Sequence, residues 1–232
     1  VRSLKAPYKD WRRRRALERA GVAVRASVPD AVLLGERSGT WATAPRGLGP
    51  DSVVISGGVG DNIGWDLALI ERCGCSVHAF DPTPKSVAWL AGRDLPDRFH
   101  HHAMGLAAED GERTFAPPSS PRSVDYAMAS EGDGATGPRE RLEVRRLATV
   151  AAELGADRID LLKLDVEGAE YEILADALEH GPPFAQLLVE FHHGTGPWTL
   201  DHTTRTIDAL AAAGLECFWI SRRGLELSFV RR

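Results

Sequence analysis

The chain has 232 residues, of which 43% are hydrophobic and 26% charged, with a formal net charge of -5. That length suits one domain with a full core, and the balance excludes fibrous and disordered classes. The acid excess argues against a nucleic-acid partner, because neutralising a phosphate backbone needs surplus Lys and Arg.

Residues 9 to 20, KDWRRRRALERA, predict a basic helix with Trp11, Ala16, Leu17 and Ala20 on a partial apolar stripe. Arg12 to Arg15 read as a solvated face, with phosphate contact as the alternative. AVLLG and SGTWAT then predict a small hairpin, with Gly35 and Gly39 as turn residues, placed to roof a site. This extension, residues 1 to 48, precedes a main domain at 49 to 232.

From Val53 onward short apolar runs alternate with helical patterns, the sign of βαβ units. Strands are predicted near 53 to 56, 76 to 80, 98 to 103, 159 to 164, 186 to 192, 215 to 220 and 226 to 231. The turn Arg222-Arg223-Gly224 is too short for a crossover helix, so the last two strands must pair antiparallel. The expected fold is therefore α/β, a doubly wound, mainly parallel seven-stranded sheet with an antiparallel C-terminal hairpin. Residues 117 to 140 hold four prolines and three glycines, which excludes an uninterrupted helix or central strand. A loop of that length is a lid or lacks fixed structure, and Tyr126, Ala127 and Met128 are its ligand-covering candidates.

Three strand ends carry the chemistry. Val53 to Leu69, VVISGGVGDNIGWDLAL, is a strand, a glycine-rich turn and a helix; Gly57, Gly58 and Gly60 let a cofactor approach the backbone, and Asn62 lies in the same turn. Asp81 ends the next strand, 21 residues after Gly60, the spacing of an acid that takes both ribose hydroxyls. In IDLLKLDVEGAEYEIL, residues 159 to 174, Asp165 and Glu167 stand at a strand end, where ligands bind in open α/β sheets. Asp165 has a second reading as N-cap of the helix beginning near Gly168 or Ala169, and Glu167 and Glu170 suit a helix start in any case. Lys163, mid-strand, needs an acid partner, for which Glu190 on the neighbouring strand is the candidate. LLVEFHHG offers Glu190, His192 and His193, and strand alternation puts Glu190 and His192 on one face.

The glycine loop, the FDP strand end and the run Lys163, Asp165, Glu167, Gly168, Glu170 together resemble the FkbM-type family of S-adenosylmethionine-dependent methyltransferases, over roughly residues 50 to 195. Ser56 departs from the family, where an acid more often precedes the first glycine. The resemblance implies a class I, Rossmann-like methyltransferase fold, S-adenosylmethionine as cofactor, and an adenine wall at Ala103, Met104 and Gly105.

Methylating a hydroxyl requires that the acceptor lose its proton to a base or a divalent metal. His192 is the first candidate base, with Glu190 and Asp165 as the other catalytic candidates. Alternatively Asp165, Glu190 and His192 hold Mg2+ or a similar hard ion. His100, His101 and His102 close a strand, because neighbouring residues face opposite ways. The expected function is O-methylation of a sugar or other natural-product intermediate, with a homo-oligomer left open. Two rivals stand beside it. Gly58, Gly60 and Gly64 approach a nicotinamide fingerprint and point to an NAD(P)-dependent oxidoreductase, although neither Tyr8, Tyr126 nor Tyr171 has Lys four residues on. Ser56 and the basic helix hint at a nonenzymatic binding protein that keeps the fold.

Cys73, Cys75 and Cys217 are odd in number and lack metal spacing, so a reduced, cytoplasmic setting is expected. No run approaches the roughly 18 apolar residues that span a bilayer, so no membrane partner is expected. The chain begins at Val1, which leaves a trimmed targeting segment open.

Overall fold

The computed structural model describes residues 5–36, 39–117, 126–128 and 139–232. The basic N-terminal run forms helix α1 (Lys5–Arg19), and the next apolar run forms the antiparallel hairpin β1 (Val32–Leu34) and β2 (Trp41–Thr43). There follow β3 (Val53–Gly57), α2 (Gly64–Cys73), β4 (Ser76–Phe80), α3 (Pro84–Ala91) and β5 (Phe99–His102). Among the described residues four strands come next, β6 (Gly105–Leu106), β7 (Gly111–Ala116), β8 (Ala127–Met128) and β9 (Glu140–Arg145), before α4 (Leu147–Glu153). The chain ends with β10 (Ile159–Leu164), α5 (Glu170–His180), β11 (Phe184–Glu190), α6 (Leu200–Ala212), β12 (Leu215–Ile220) and β13 (Glu226–Arg231).

Seven strands make one mixed sheet in the order β12-β13-β11-β10-β3-β4-β5. From β11 to β5 the pairings are parallel, and β13 runs antiparallel to both of its neighbours. The final hairpin thus folds back so that β13, the last strand, inserts between β11 and β12. Every residue of β10 is buried, because strands flank it on both sides and helices cover both faces. On one face Leu162, Leu164, Leu187 and Val189 pack with Ile173, Leu174 and Leu210 of α5 and α6. On the other, Val54, Leu161 and Leu188 pack with Trp65 and Leu69 of α2 and Trp41 of β2. Leu161 and Leu162 therefore serve opposite cores, as a period of two requires.

A second, four-stranded sheet, β6-β9-β7-β8, lies where the sequence reading placed no strands. Its signal was present in short alternations: Phe115 and Val144 are buried and Leu142 packs with them. Within the expected lid at 117 to 140, Ala127 and Met128 pair with Ala116 and Phe115, and most of the remainder lies outside the described residues. In α1 the expected apolar stripe narrows to Leu17, since Trp11 is exposed. Arg14 is not aimed at phosphate: it donates hydrogen bonds to the carbonyls of Ile220 and Ser221, both at 3.0 Å, and ties α1 to the last hairpin. Among the described residues no helix is long and apolar enough to cross a membrane.

Along β5 the histidines alternate as expected. His102 Nε2 lies 3.1 Å from His78 Nδ1 on β4, while His101 Nε2, facing the other way, lies 3.0 Å from the Asp81 carbonyl oxygen. Burial, reinforced by His100 and His102, pushes the His78 pKa down to about 4. His78 is neutral when folded and titrates near 6.5 when unfolded, so its contribution is complete above about pH 6.5 and is lost as pH falls towards 4. The thermal midpoint should fall on acidification through that window and fall less in His78→Asn. An equal fall in the variant would place the acid sensitivity elsewhere.

Candidate active site

The ends of β3, β4, β10 and β11 open on one cavity of about 420 Å³, within the range of small-molecule sites. The turn after β3 supplies Gly58, Val59, Gly60 and Asn62 to its wall. Gly58 has φ +83°, and a Cβ there would lie 1.8 Å from the Asp165 carbonyl oxygen, so the contact between two strand ends demands glycine before any ligand is considered. Gly57 ends its strand under Leu106 and is not in the wall. Asn62 lines the cavity and accepts the Gly64 N–H at 2.9 Å, ordering the start of α2.

Asp81 lines the cavity too, but its carboxylate is turned to the protein. Oδ2 accepts the N–H groups of Val59 and Gly60, both at 3.0 Å, and Oδ1 accepts the N–H of Thr83 at 2.9 Å and its hydroxyl at 2.6 Å. Two bonds per oxygen fill the usual acceptor capacity, so the acid expected on ribose is here the anchor of the glycine loop. The adenine candidates shift as well. Ala103 is exposed and Met104 packs against the core, whereas Gly105 and Leu106 line the cavity. The chain bends at 103 and 104, and the pairing of β6 with β9 turns the next two residues inward.

After β10 the chain makes a tight turn. Glu167 has φ +52°, and a Cβ on Gly168, at φ +106°, would lie 2.7 Å from the Trp198 indole nitrogen. That turn returns Glu170 beneath the site, where it is fully buried. Its Oε2 accepts the Gly168 N–H at 2.9 Å; its Oε1 accepts the His192 N–H at 2.8 Å and lies 3.2 Å from His192 Nδ1. Ala169, not Asp165, is the N-cap of α5, so the capping reading of Asp165 is corrected. Asp165 instead faces the cavity with Glu167, and His192 Nε2 lies 3.4 Å from Glu167 Oε2 and 4.0 Å from Asp165 Oδ1.

Burial pushes the His192 imidazole down, but hydrogen bonds to Glu167 and Glu170 and their charges outweigh it and raise its pKa to about 11. His192 is therefore an imidazolium at neutral pH, with no lone pair to accept a proton, which corrects its expected role as base. Glu190 moves the other way. Burial, then the charges of Asp165 and Glu226, outweigh Arg223 and His192 and bring its pKa to about 8. Asp165 is also raised, by burial first and against the pull of Lys163 and His192.

Glu190 pairs with the Arg223 guanidinium, whose Nε also lies 3.2 Å from Glu226 Oε1. Lys163 is thus not the partner of Glu190. It donates to the Gly58 carbonyl at 3.3 Å, and the rings of Trp41 and Trp65 are centred 5.5 and 5.9 Å from its Nζ. His193 turns away, its Nδ1 3.2 Å from Thr203 Oγ1. The groups whose donor atoms converge within 4.8 Å are Asp165, Glu167 and His192, so Glu167 takes the place expected of Glu190 in an ion-binding set. With both imidazole nitrogens donating, that trio shares a proton. Arg223, Glu226, Asp66 and Trp41 escaped the sequence reading, because no spacing rule links a turn or a helix face to a distant strand end.

Residues 58–213 match the Methyltransferase FkbM domain family. The chain is 31% identical over 182 residues to 31-O-demethyl-FK506 methyltransferase FkbM of Streptomyces tacrolimicus, covering 64% of this chain and 68% of that protein. It is 28% identical over 137 residues to Probable methyltransferase-like protein 24 of Homo sapiens, covering 57% of this chain but 30% of that one, so it spans less than a third of that relative. Among solved structures, geranyl diphosphate methyltransferase in complex with GPP and sinefungin aligns at TM-score 0.39 and 8% identity over 81% of this chain and 74% of that one. P. horikoshii TYW2 in complex with MeSAdo aligns at TM-score 0.36 and 13% identity, over 99% and 84%. Overlaps this loose add no weight.

Because the folded pKa of His192 is raised, the stability it contributes is complete below about pH 6.5 and is lost as pH climbs towards 11. Glu170→Gln should lower the imidazole pKa read by NMR, and Glu170→Ala, stranding a buried charge, should cost about 3–5 kcal/mol in denaturant unfolding. An unchanged imidazole pKa in Glu170→Gln would show that another group holds the proton.

Proposed function

This chain belongs to the FkbM methyltransferase domain family, and from that premise we propose an S-adenosylmethionine-dependent O-methyltransferase that acts on a hydroxyl of a small molecule, a sugar or natural-product intermediate. Family membership removes the oxidoreductase and nonenzymatic alternatives. The observation that carries the reading is the cavity itself, where the glycine loop meets Asp165 and Glu190, two carboxyls of raised pKa. A sulfonium and an ammonium bound beside these carboxyls would draw them towards the charged form, so an acid-lined wall of this kind suits such a ligand. When bound, S-adenosylmethionine supplies an electrophilic methyl group.

The chain's own residues divide the remaining work. The N–H groups of Val59 and Gly60 are fixed by Asp81, which holds the loop in shape for a close-approaching ligand. Gly105, Leu106, Phe115 and Met128 form an apolar wall suited to adenine, with Tyr126 beside them. Glu190, with a pKa of about 8, is the base for the acceptor hydroxyl, since general bases work best with a pKa near the operating pH. His192, as a cation, holds Asp165 and Glu167 in place, and orientation of the acceptor supplies most of the acceleration. The finer fold reading is the doubly wound class I methyltransferase arrangement. Gly39 and Trp41 in the cavity wall support residues 1 to 48 as a roof on a catalytic domain at 49 to 232. The name of the Streptomyces relative supports a hydroxyl acceptor.

Calorimetry with S-adenosylhomocysteine should show stoichiometric binding, and its absence would end this reading. Transfer of labelled methyl to a panel of hydroxylated acceptors should rise with pH through about 8 as Glu190 loses its proton. Glu190→Gln should keep S-adenosylhomocysteine binding and lose about 10²–10⁴-fold in rate. A flat pH profile would exclude Glu190 as base.

A further inference from the structure

Two side chains in the cavity wall have donors left without acceptors among the described residues. Lys163 is 5% exposed in the middle of the central strand, and an ammonium has three N–H donors. Among the described residues one of these is met, by the Gly58 carbonyl; the rings of Trp41 and Trp65 receive the cation but accept no conventional hydrogen bond. On the helix side Asp66 is 2% exposed, and its carboxyl is pushed towards neutrality by burial against the pull of Lys163. The second is Trp41, fully buried, whose indole N–H has no partner among the described residues, whereas the Trp65 indole donates to Thr43 Oγ1 at 2.9 Å. Lys163 and Trp41 line the same cavity, on the side of the glycine loop. Unmet buried donors are strongly disfavoured, and more so when charged, so a fold that keeps both together is arranged for a group that brings acceptors.

We propose that Lys163 and the Trp41 indole N–H form a carboxylate subsite, which receives the α-carboxylate at the methionine end of S-adenosylmethionine. The assignment rests on the methyltransferase reading above and adds to it the polarity of the bound amino acid. Arg223 and His192 line the wall too, but Arg223 is paired with Glu190 and Glu226, and His192 with Glu167 and Glu170, so the place for an anion is beside Lys163. Asp165 lies two residues further along the same chain, which on extended backbone is about 6.6 Å. That separation matches an amino-acid zwitterion lying between them, its carboxylate on Lys163 and its ammonium on Asp165. Ser56, paired in register with Lys163, brings no countercharge of its own, which leaves the ammonium available to a ligand.

Calorimetry with two nucleosides separates this from every general effect. S-Adenosylhomocysteine carries the amino-acid end, and 5′-methylthioadenosine lacks it. Lys163→Met should weaken S-adenosylhomocysteine by roughly 10–100-fold, the value of a charge-assisted hydrogen bond, and leave 5′-methylthioadenosine within about two-fold. Trp41→Phe, which removes the N–H and keeps an aromatic ring, should weaken S-adenosylhomocysteine about five-fold and spare the shorter ligand. Undiminished S-adenosylhomocysteine binding in both variants overturns the subsite alone and returns any carboxylate role to the acceptor. Equal loss of both ligands also overturns it, since the change would then be distortion. Failure of the unaltered protein to bind S-adenosylhomocysteine overturns the cofactor reading and this assignment with it.

Discussion

A single buried carboxylate organises this site. Glu170 is fully buried and has no Lys or Arg partner among its hydrogen bonds, so its charge must be met by N–H groups. It is met by Gly168, two residues back on its own segment, and by the backbone and ring of His192 on the next strand end. One side chain thereby closes the tight turn after β10, fixes the distance between β10 and the end of β11, and keeps the imidazole charged. The left-handed backbone at Glu167 persists because both of its ends are held: Asp165 N–H bonds to the Gly57 carbonyl and Gly168 N–H bonds to Glu170. Without Glu170, only Glu167 would hold the imidazolium, and the turn after β10 would lose its closing hydrogen bond.

The second organising feature is the late insertion of β13. Its register puts Glu226 directly opposite Glu190, a like-charge pair that a sheet ordinarily avoids. Arg223, in the turn just before β13, lies between them and bonds to both. The compensation is incomplete: burial and the nearby Asp165 and Glu226 still leave Glu190 with a pKa of about 8. Glu167 and Glu170 raise the imidazole while burial, Asp165 and Glu226 raise the Glu190 carboxyl, so one strand end carries a cation beside a titrating acid. Two groups two residues apart acquire opposite roles through their neighbours.

The seven sheet strands were legible because each is an apolar run bounded by turn residues, and Lys163 to Glu170 marked the central strand end. The smaller sheet was not, because the prolines and glycines of 117 to 140 dominate a segment whose strands are short. Leu106, and not Ala103 or Met104, forms cavity wall because a bend at 103 and 104 shifts the facing of the chain, which no period predicts. The spacing of Asp81 from Gly60 identifies a strand end, but the direction of its carboxylate depends on which N–H groups the loop presents. The protonation of His192 was beyond reach for a similar reason, since it follows from Glu167 and Glu170 meeting one ring in space.

The glycine loop shows how far packing and function share one constraint. Gly58 is forced by the Asp165 carbonyl against it, and the loop is then clamped by two opposite charges. Asp81 takes its N–H groups from one side and Lys163 takes a carbonyl from the other. A loop held in that way loses little freedom when a ligand arrives, so more of the contact energy remains for binding and orientation. The charge that clamps the carbonyl still has donors to offer, and it offers them into the cavity. Fold stability and ligand recognition therefore draw on the same ammonium, and the buried Lys163, unlikely on grounds of burial alone, is retained for both.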